Sequence, residues 1–395
     1  MLYVFNNIKR KEVFDSVINM DNDLVLAISN LINFGIEEGL SGNLWKKYIL
    51  YTFIFNDNSY TRAIERNKCD IGYSRFVESD FKYFYDLYNM DTKSLGEAND
   101  FKIESTRANK YLKLLIENMI NEIKDNDYNS FKNTLLKFYK EKGLAYMALF
   151  KAFRVDNGNL KPIKNVLDVT FDDLIGYDMQ KNMLCENTEA FISGKPFNNV
   201  LLYGDSGTGK STSIKALINK YFDKGLRIIE VYKHQMEEIS KIIHTLRTRP
   251  YYYIIYMDDL SFEENEVEYK YLKSIIEGGI EPKPDNVVVY ATSNRRHLIK
   301  ETFRDNGTID DDLNRSETQA EKLSLAYRFG LQIYYSNLSP MEFKKMVKAL
   351  AIVNNINIDD EVLYKEASSW QLRYGSLSGR CATQFVSYLI NKVVK

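Results

Sequence analysis

Gly204-Asp205-Ser206-Gly207-Thr208-Gly209-Lys210-Ser211 fits G-x-x-x-x-G-K-[ST] at every position. Glycines at this spacing let the backbone curl until its N–H groups point at phosphate oxygens. Lys210 at the end of such a loop reaches β- and γ-phosphates, and the Ser211 hydroxyl binds Mg²⁺. The apolar run Val200 to Tyr203 precedes the loop, and Ile214, Leu217 and Ile218 follow at helical spacing. A strand, a glycine loop and a helix start are the context the motif needs. The positive end of that helix, from Lys210 and Thr212 onward, then faces the same phosphates.

Other chemistry stands at the ends of apolar runs. Asp258 and Asp259 directly follow Tyr251 to Met257, and Asn294 follows Val287 to Ala291 through Thr292 and Ser293. Asp258 at such a strand end holds Mg²⁺ through its water shell. Asp259 orients or deprotonates an attacking water, and Asn294 hydrogen-bonds that water or the γ-phosphate. Glu263 and Glu264 are rival bases, although acids at a helix start read the same way. Two arginines join the set. Arg328, just before the apolar run Leu331 to Tyr335, is placed to act across a subunit boundary on a transferring phosphoryl group. Arg380, near the end of the chain, can read the γ-phosphate from within. Further upstream, Thr170 to Lys181 offers backbone beside Ile175 and Gly176 that can hold an adenine ring; a simple turn is the alternative there.

These residues need a scaffold. Apolar runs at 200–203, 226–232, 251–257, 287–291 and 331–335 alternate with helical stretches such as Gln235 to Arg247 and Glu266 to Glu277. That alternation predicts a parallel sheet covered on both faces, with ligands at the carboxyl ends of the strands. Residues before about 155 read as mostly helical. Val25, Leu26, Ile28, Leu31, Ile32 and Ile36 form one stripe. Leu112, Leu115, Ile116, Met119, Ile120 and Ile123 form another. Leu135 to Tyr139 start a third helix, which Leu144 to Phe153 continue. Such stripes suit the core of a helical bundle, and a bundle attached to a motor suits a partner-binding module. The polar Val155 to Lys164 stretch, with Gly158 and Pro162, reads as a linker. The domains expected are 1–160, 161–335 and 336–395.

The 395-residue chain is too long for one core and carries a formal charge of −1. No general polyanion-binding signal exists at that balance; the short basic cluster Lys9-Arg10-Lys11 reads equally as a solvated helix face. Cys69, Cys185 and Cys381 are scattered, as are His234, His244 and His297, so free thiols in a cytoplasmic protein are expected and a structural zinc is not. The sequence has no run apolar enough to span a bilayer and no signal-peptide core at Met1 to Asn7.

The quoted residues, together with Leu174-Ile-Gly-Tyr177, Asn187 to Gly194, Tyr271 to Gly278, Tyr290 to His297 and Tyr327-Arg-Phe-Gly330, resemble an AAA+ ATPase. More closely, they are similar to the bacterial family known as domain of unknown function 815, from about Gly143 to the end. The resemblance implies an α/β fold: an AAA+ P-loop parallel sheet sandwiched by helices, with a small helical lid from about Ser336. A mostly helical N-terminal domain precedes it. It implies that Lys210 and Ser211 are the Walker A pair and that Asp258 and Asp259 are the Walker B acids. Asn294 is then sensor 1, Arg328 the arginine finger and Arg380 the sensor 2 arginine. ATP and Mg²⁺ are the implied cofactors, ATP hydrolysis the implied activity, and ATP-dependent homo-oligomers the implied assembly.

The pattern departs from many AAA+ proteins in having Asp259 rather than Glu after Asp258, as bacterial replication initiators and helicase loaders do. This points toward a switch. Residues 304–321 form a polar, acidic insertion. Two functions are consistent with these features. One is an ATPase that remodels or loads a protein partner held by the N-terminal domain. The other is an ATP-switched nucleic-acid-binding protein of initiator or loader type, for which Arg295, Arg296, His297 and Lys300 would supply phosphate contacts. Balanced charge and the lack of a helix-turn-helix favour the protein partner.

Overall fold

The computed structural model describes residues 2–66, 74–103, 110–262, 266, 268–277, 282–295, 298 and 325–393. These fall into two compact units, one ending at Phe150 and the other beginning at Lys151.

The first unit is helical, with α1 (Lys11–Ile18), α2 (Leu24–Glu38), α3 (Leu44–Ile54), α4 (Ser59–Glu65), α5 (Ser74–Tyr88), α6 (Lys110–Glu122), α7 (Tyr128–Glu141) and α8 (Ala145–Leu149). Every residue of α3 except Lys46 is buried, as expected of a helix apolar on all sides. Phe53 of α3 meets Phe5, Phe81, Phe84 and Phe131 at ring-centroid distances of 5.1, 5.5, 4.9 and 5.8 Å. The buried Asp80 carboxylate accepts the N–H groups of Tyr3, Val4 and Phe5 at 3.0, 2.7 and 3.0 Å and ties the N-terminal segment down. Arg10, from the basic cluster, is held by Glu37 and Glu38 at 2.7 and 3.0 Å.

Three expectations for this region and its boundary are corrected. α2 forms, but it buries Ala27, Leu31, Phe34 and Gly35 and leaves Val25 78% exposed, with Leu26 and Ile36 also exposed. The apolar stripe read from sequence therefore faces largely outward at its first turn. The Leu144 to Phe153 helix ends at Leu149, and β1 (Ala152–Asp156) begins the second unit. The stretch read as a linker is a hairpin: β1 pairs antiparallel with β2 (Asn159–Pro162). Asn157 and Gly158 make its turn at φ 49° and 70°. Two residues at positive φ are what a two-residue hairpin loop requires, and Asn-Gly supplies them at the lowest cost.

The remaining strands are β3 (Val200–Gly204), β4 (Leu226–Glu230), β5 (Tyr252–Met257), β6 (Val287–Ser293) and β7 (Leu331–Tyr335). The sheet order is β2-β1-β4-β5-β6-β3-β7, with every pair except β1–β2 parallel. Alternate residues Val200 and Leu202, Ile254 and Tyr256, and Val288 and Tyr290 pack on Leu184 and Phe191 of α9 (Asp178–Ile192) and Leu217 and Tyr221 of α10 (Lys210–Tyr221). The intervening Leu201, Ile255 and Val289 are equally buried, so both faces are covered. On the chain, α11 (Ile239–Leu246) and α12 (Glu268–Glu277) flank β5. All parallel strands end at one edge, so the P-loop after β3, Asp258 after β5 and Asn294 after β6 meet there. This is the AAA+ arrangement that the resemblance implies. After β7 come α13 (Pro340–Val353), α14 (Asp360–Tyr374) and α15 (Gly379–Val393), which share a core that includes Leu338, Phe343, Val347, Leu363, Phe385 and Leu389.

Candidate nucleotide-binding site

The P-loop leaves β3 at Gly204, where the backbone has φ 134° and a Cβ would lie 2.0 Å from the Tyr335 carbonyl oxygen. Any other residue there would force β3 and β7 apart. The Asp205 N–H donates to that carbonyl at 3.1 Å, and the Asp205 carboxylate accepts the Asn337 N–H at 2.9 Å. The loop is thus pinned to the start of the helical lid. Gly209, at φ 93°, then sets the direction of α10.

Lys210 opens α10 and is buried at 6% exposure. Its Nζ donates to the carbonyl oxygens of Gly204 (2.9 Å) and Asp205 (2.7 Å) and to Asn294 Oδ1 (3.1 Å). Asn294 Nδ2 donates to Asp259 Oδ1 at 2.7 Å. The Asp259 N–H donates to Thr292 Oγ1 at 2.9 Å. The Thr292 and Ser211 hydroxyls both donate to Asp258 Oδ1 at 2.6 Å. One continuous polar network therefore joins Lys210 to Ser211 through both acids and Asn294.

Burial pushes the Lys210 ammonium down from its ordinary pKa, against the pull of Asp205, Asp259 and Asp258. Burial acts to raise the Asp258 carboxyl, but the hydrogen bonds from Ser211 and Thr292 outweigh it and hold the group below the usual carboxylate range. Asp258 is therefore ionised at neutral pH and suited to a cation. Asp259 sits at φ 50°, a left-handed conformation that costs a non-glycine residue about 1–3 kcal/mol unless its surroundings impose it. Here the Thr292 and Asn294 contacts impose it.

A cavity of about 710 Å³ opens over this network, within the range of small-molecule sites. Its wall brings together Ile175, Ser206, Gly207, Thr208, Gly209, Lys210, Ser211, Thr212, Asp258, Asp259, Asn294 and Arg380. Gly176, Gly204 and Asp205 stand behind that wall. Gly176 has φ 83° beside Met346, and the other two act through the backbone contacts above. Arg328 is elsewhere. Leu331 is in register with Val200, and Tyr335 with Gly204. Arg328 thus precedes the end of β7 that is opposite the P-loop, and β7 alone spans about 13 Å at the rise of a strand. There it is 19% exposed and ion-paired with Glu277 at the end of α12. Glu263, Glu264, Arg296, His297, Lys300 and residues 304–321 lie outside the described residues.

Sequence reasoning passed over several wall residues. Lys215, one helical turn after Ser211, had a signal in its spacing, as did Thr383 and Gln384, one turn after Arg380. Leu174, Tyr177, Met346 and Leu350 also line the cavity, and Ile175 and Tyr177 pack on the core of the lid. Tyr177 caps α9 at φ 58°, and its hydroxyl donates to the Ser336 carbonyl at 2.8 Å.

The lid touches the P-loop directly. The Arg380 N–H donates to the Gly207 carbonyl at 3.1 Å. Gly207 has φ 77°, and a Cβ on it would lie 2.9 Å from Arg380 Cβ and 3.2 Å from Ser378 Oγ. Gly207→Ala is expected to destabilise this contact by at least about 1 kcal/mol. Nucleotide affinity should fall by about fivefold or more, and the melting temperature should drop. An unchanged dissociation constant by titration calorimetry would separate the lid from binding.

The donors fit a nucleotide-bound divalent cation. Among the described residues no group of three or more His, Cys, Asp or Glu side chains could hold a metal by itself. Mg²⁺ asks for one or two protein oxygens plus phosphates and water, and the Asp258 carboxylate and the Ser211 hydroxyl, 2.6 Å apart, are the oxygens that would hold it. No helix among the described residues is long and apolar enough to cross a membrane.

Residues 147–393 match the family described as Protein of unknown function (DUF815). Among curated proteins, the replication factor C large subunit of Methanococcus vannielii is 32% identical over 79 residues, which span 20% of this chain and 16% of that protein. Among solved structures, the RuvB Holliday junction branch migration motor of Thermotoga maritima matches at TM-score 0.39 and 19% identity. That match covers 57% of this chain and 66% of RuvB. A RuvB point mutant matches at TM-score 0.40 and 17% identity, with 57% and 66% covered. The chain therefore spans about two thirds of the RuvB chains and about a sixth of the replication factor subunit. The P-loop strand β3 lies between β6, which leads to Asn294, and β7, which follows Arg328; with well over half of its residues matched by the family model, this chain belongs to the DUF815 family.

Proposed function

We propose that the chain binds Mg·ATP in this cavity, hydrolyses it, and couples its nucleotide state to remodelling or loading of a protein partner held by the N-terminal helical unit. The observation that carries the first part is the unbroken network from Lys210 through Asn294, Asp259, Thr292 and Asp258 to Ser211. A phosphate-binding lysine, a cation-binding acid and a water-orienting acid share one set of hydrogen bonds. The P-loop N–H groups and Lys210 hold the phosphates, and Ser211 and Asp258 hold the cation. Mg²⁺ bound with ATP supplies neutralisation of the β- and γ-phosphate charge. Asp259, steered by Asn294, orients the attacking water and takes its proton. Arg380 reaches the γ-phosphate from the lid. Ile175, Leu174 and Tyr177 form the apolar side for adenine. ATP-dependent homo-oligomers are part of this reading, because Arg328 has no route to its own cavity.

Asp259→Asn tests the assignment. It is expected to leave ATP affinity near the wild-type value and to lower turnover by about 10²–10⁴, the range of a general base. Binding is measured by calorimetry and turnover by phosphate release. If Glu263→Gln stops turnover and Asp259→Asn does not, the base is Glu263. The same Asp259→Asn protein, loaded with ATP, serves to capture the partner. Nucleic acid in place of a protein would appear as DNA binding whose affinity falls steeply with salt.

A further inference from the structure

Thr292 is a link in the network described above, but no part in binding or turnover has been given to it, and it touches both acids. Its side chain is 1% exposed, at the penultimate position of β6. Its Oγ1 donates to Asp258 Oδ1 at 2.6 Å and accepts the Asp259 N–H at 2.9 Å. One hydroxyl thus fills both of its roles, donor toward one acid and acceptor from the backbone of the next. The ionised Asp258 carboxylate can only accept and the Asp259 N–H can only donate, so the hydroxyl gives its one proton to Asp258 and a lone pair to Asp259. The contact at Asp259 lies where the backbone is left-handed at φ 50°, a conformation that persists only when neighbours hold it. The contact at Asp258 falls on the oxygen that also accepts from Ser211 at 2.6 Å, which turns the second carboxylate oxygen to a defined direction.

We infer that Thr292 is a positioning residue that sets the cation-binding Asp258 and the water-orienting Asp259 at once, so that metal binding and turnover depend on the same hydroxyl. This rests on the reading of the cavity as a Mg·ATP site. Partners of this kind, one step removed from the metal, contribute about 10–100-fold in metal affinity or activity. Two properties of the site follow. Thr292 acts on the metal-bound nucleotide and on catalysis. It leaves the P-loop contacts to the phosphates, and hence ATP binding without metal, unchanged.

Thr292→Val keeps the shape and removes the hydroxyl, whereas Thr292→Ser keeps the hydroxyl. ATP binding is titrated by calorimetry with EDTA and then across a Mg²⁺ series, with turnover and melting temperature measured in parallel. Thr292→Val is expected to bind ATP in EDTA as the wild type does. It should need about 10–100-fold more Mg²⁺ for the metal-dependent gain in affinity and should lose turnover by a similar factor. Thr292→Ser should restore both. A Thr292→Val protein with wild-type Mg²⁺ dependence and turnover would overturn the inference while leaving the Mg·ATP site intact. Loss of ATP binding in EDTA as well, together with no recovery in Thr292→Ser, would make Thr292 a packing residue and also overturn it. A wild-type protein that binds no ATP would overturn the reading of the site, and this inference with it.

Discussion

Lys210→Ala is expected to lower ATP affinity by about 3–5 kcal/mol, or roughly 10²–10⁴ in dissociation constant, and to abolish measurable turnover. The ammonium is buried and donates to two P-loop carbonyls and to Asn294. In that position it stands ready for the phosphates while holding the loop in shape. Removing it takes away the charge the phosphates need and leaves the Gly204 and Asp205 carbonyls and Asn294 Oδ1 short of a donor. Folding should survive, because Leu217, Tyr221 and the strand residues that hold α10 to the sheet are untouched. The circular dichroism spectrum of the variant should therefore match the wild type. Equal nucleotide affinity in the two proteins would remove the P-loop assignment altogether.

Mixing Arg328→Ala chains with Lys210→Ala chains is expected to restore turnover that neither has alone. Arginine fingers contribute about 10³–10⁵ in rate, so Arg328→Ala should lose activity on that scale while its ATP affinity stays near the wild-type value. Arg328 lies at the far end of β7 from the P-loop, which removes any role at its own cavity. In a mixture, the Lys210 variant supplies the arginine and the Arg328 variant supplies the intact cavity. The ion pair with Glu277 adds a condition: the guanidinium has to exchange that carboxylate for the neighbour's phosphate. Specific activity of the wild type should accordingly rise with protein concentration. A rate per chain that stays flat across a wide dilution series, with no rescue in the mixture, would make Arg328 a structural partner of Glu277.

Parts of the site were legible because their chemistry is local. The P-loop needs glycines at fixed steps for positive φ and a lysine at the next helix start, and both requirements fall within eight residues. Asp258 and Asn294 were legible for a related reason. A buried parallel strand is a short apolar run, and what directly follows it stands at the carboxyl edge of the sheet. The hairpin at Asn157-Gly158 was also local, since Asn-Gly is a strong turn signal; the polar residues around it hid β1 and β2. The α2 stripe failed for a different reason. Apolar residues occur around most of that helix, so its spacing alone did not select the face that packs.

By itself, then, the sequence determined the P-loop, the parallel sheet and the order in which the candidate site residues meet its edge, because each depends on backbone geometry within a few residues. The tertiary structure alone decided which of them act together. Asp205 belongs to the motif, yet its carboxylate turns to Asn337 because β7 and the lid start beside it. Arg380 meets Gly207 across more than 170 residues of chain, through a contact that exists only when the lid core has formed. Thr292 lies on a strand buried along its whole length, so no alternation of polar and apolar residues marks its face. What singles it out is the register of β6 beside β5, which brings its hydroxyl between two acids more than thirty residues away. Such contacts are products of packing over the whole sheet, and no local window of sequence contains them.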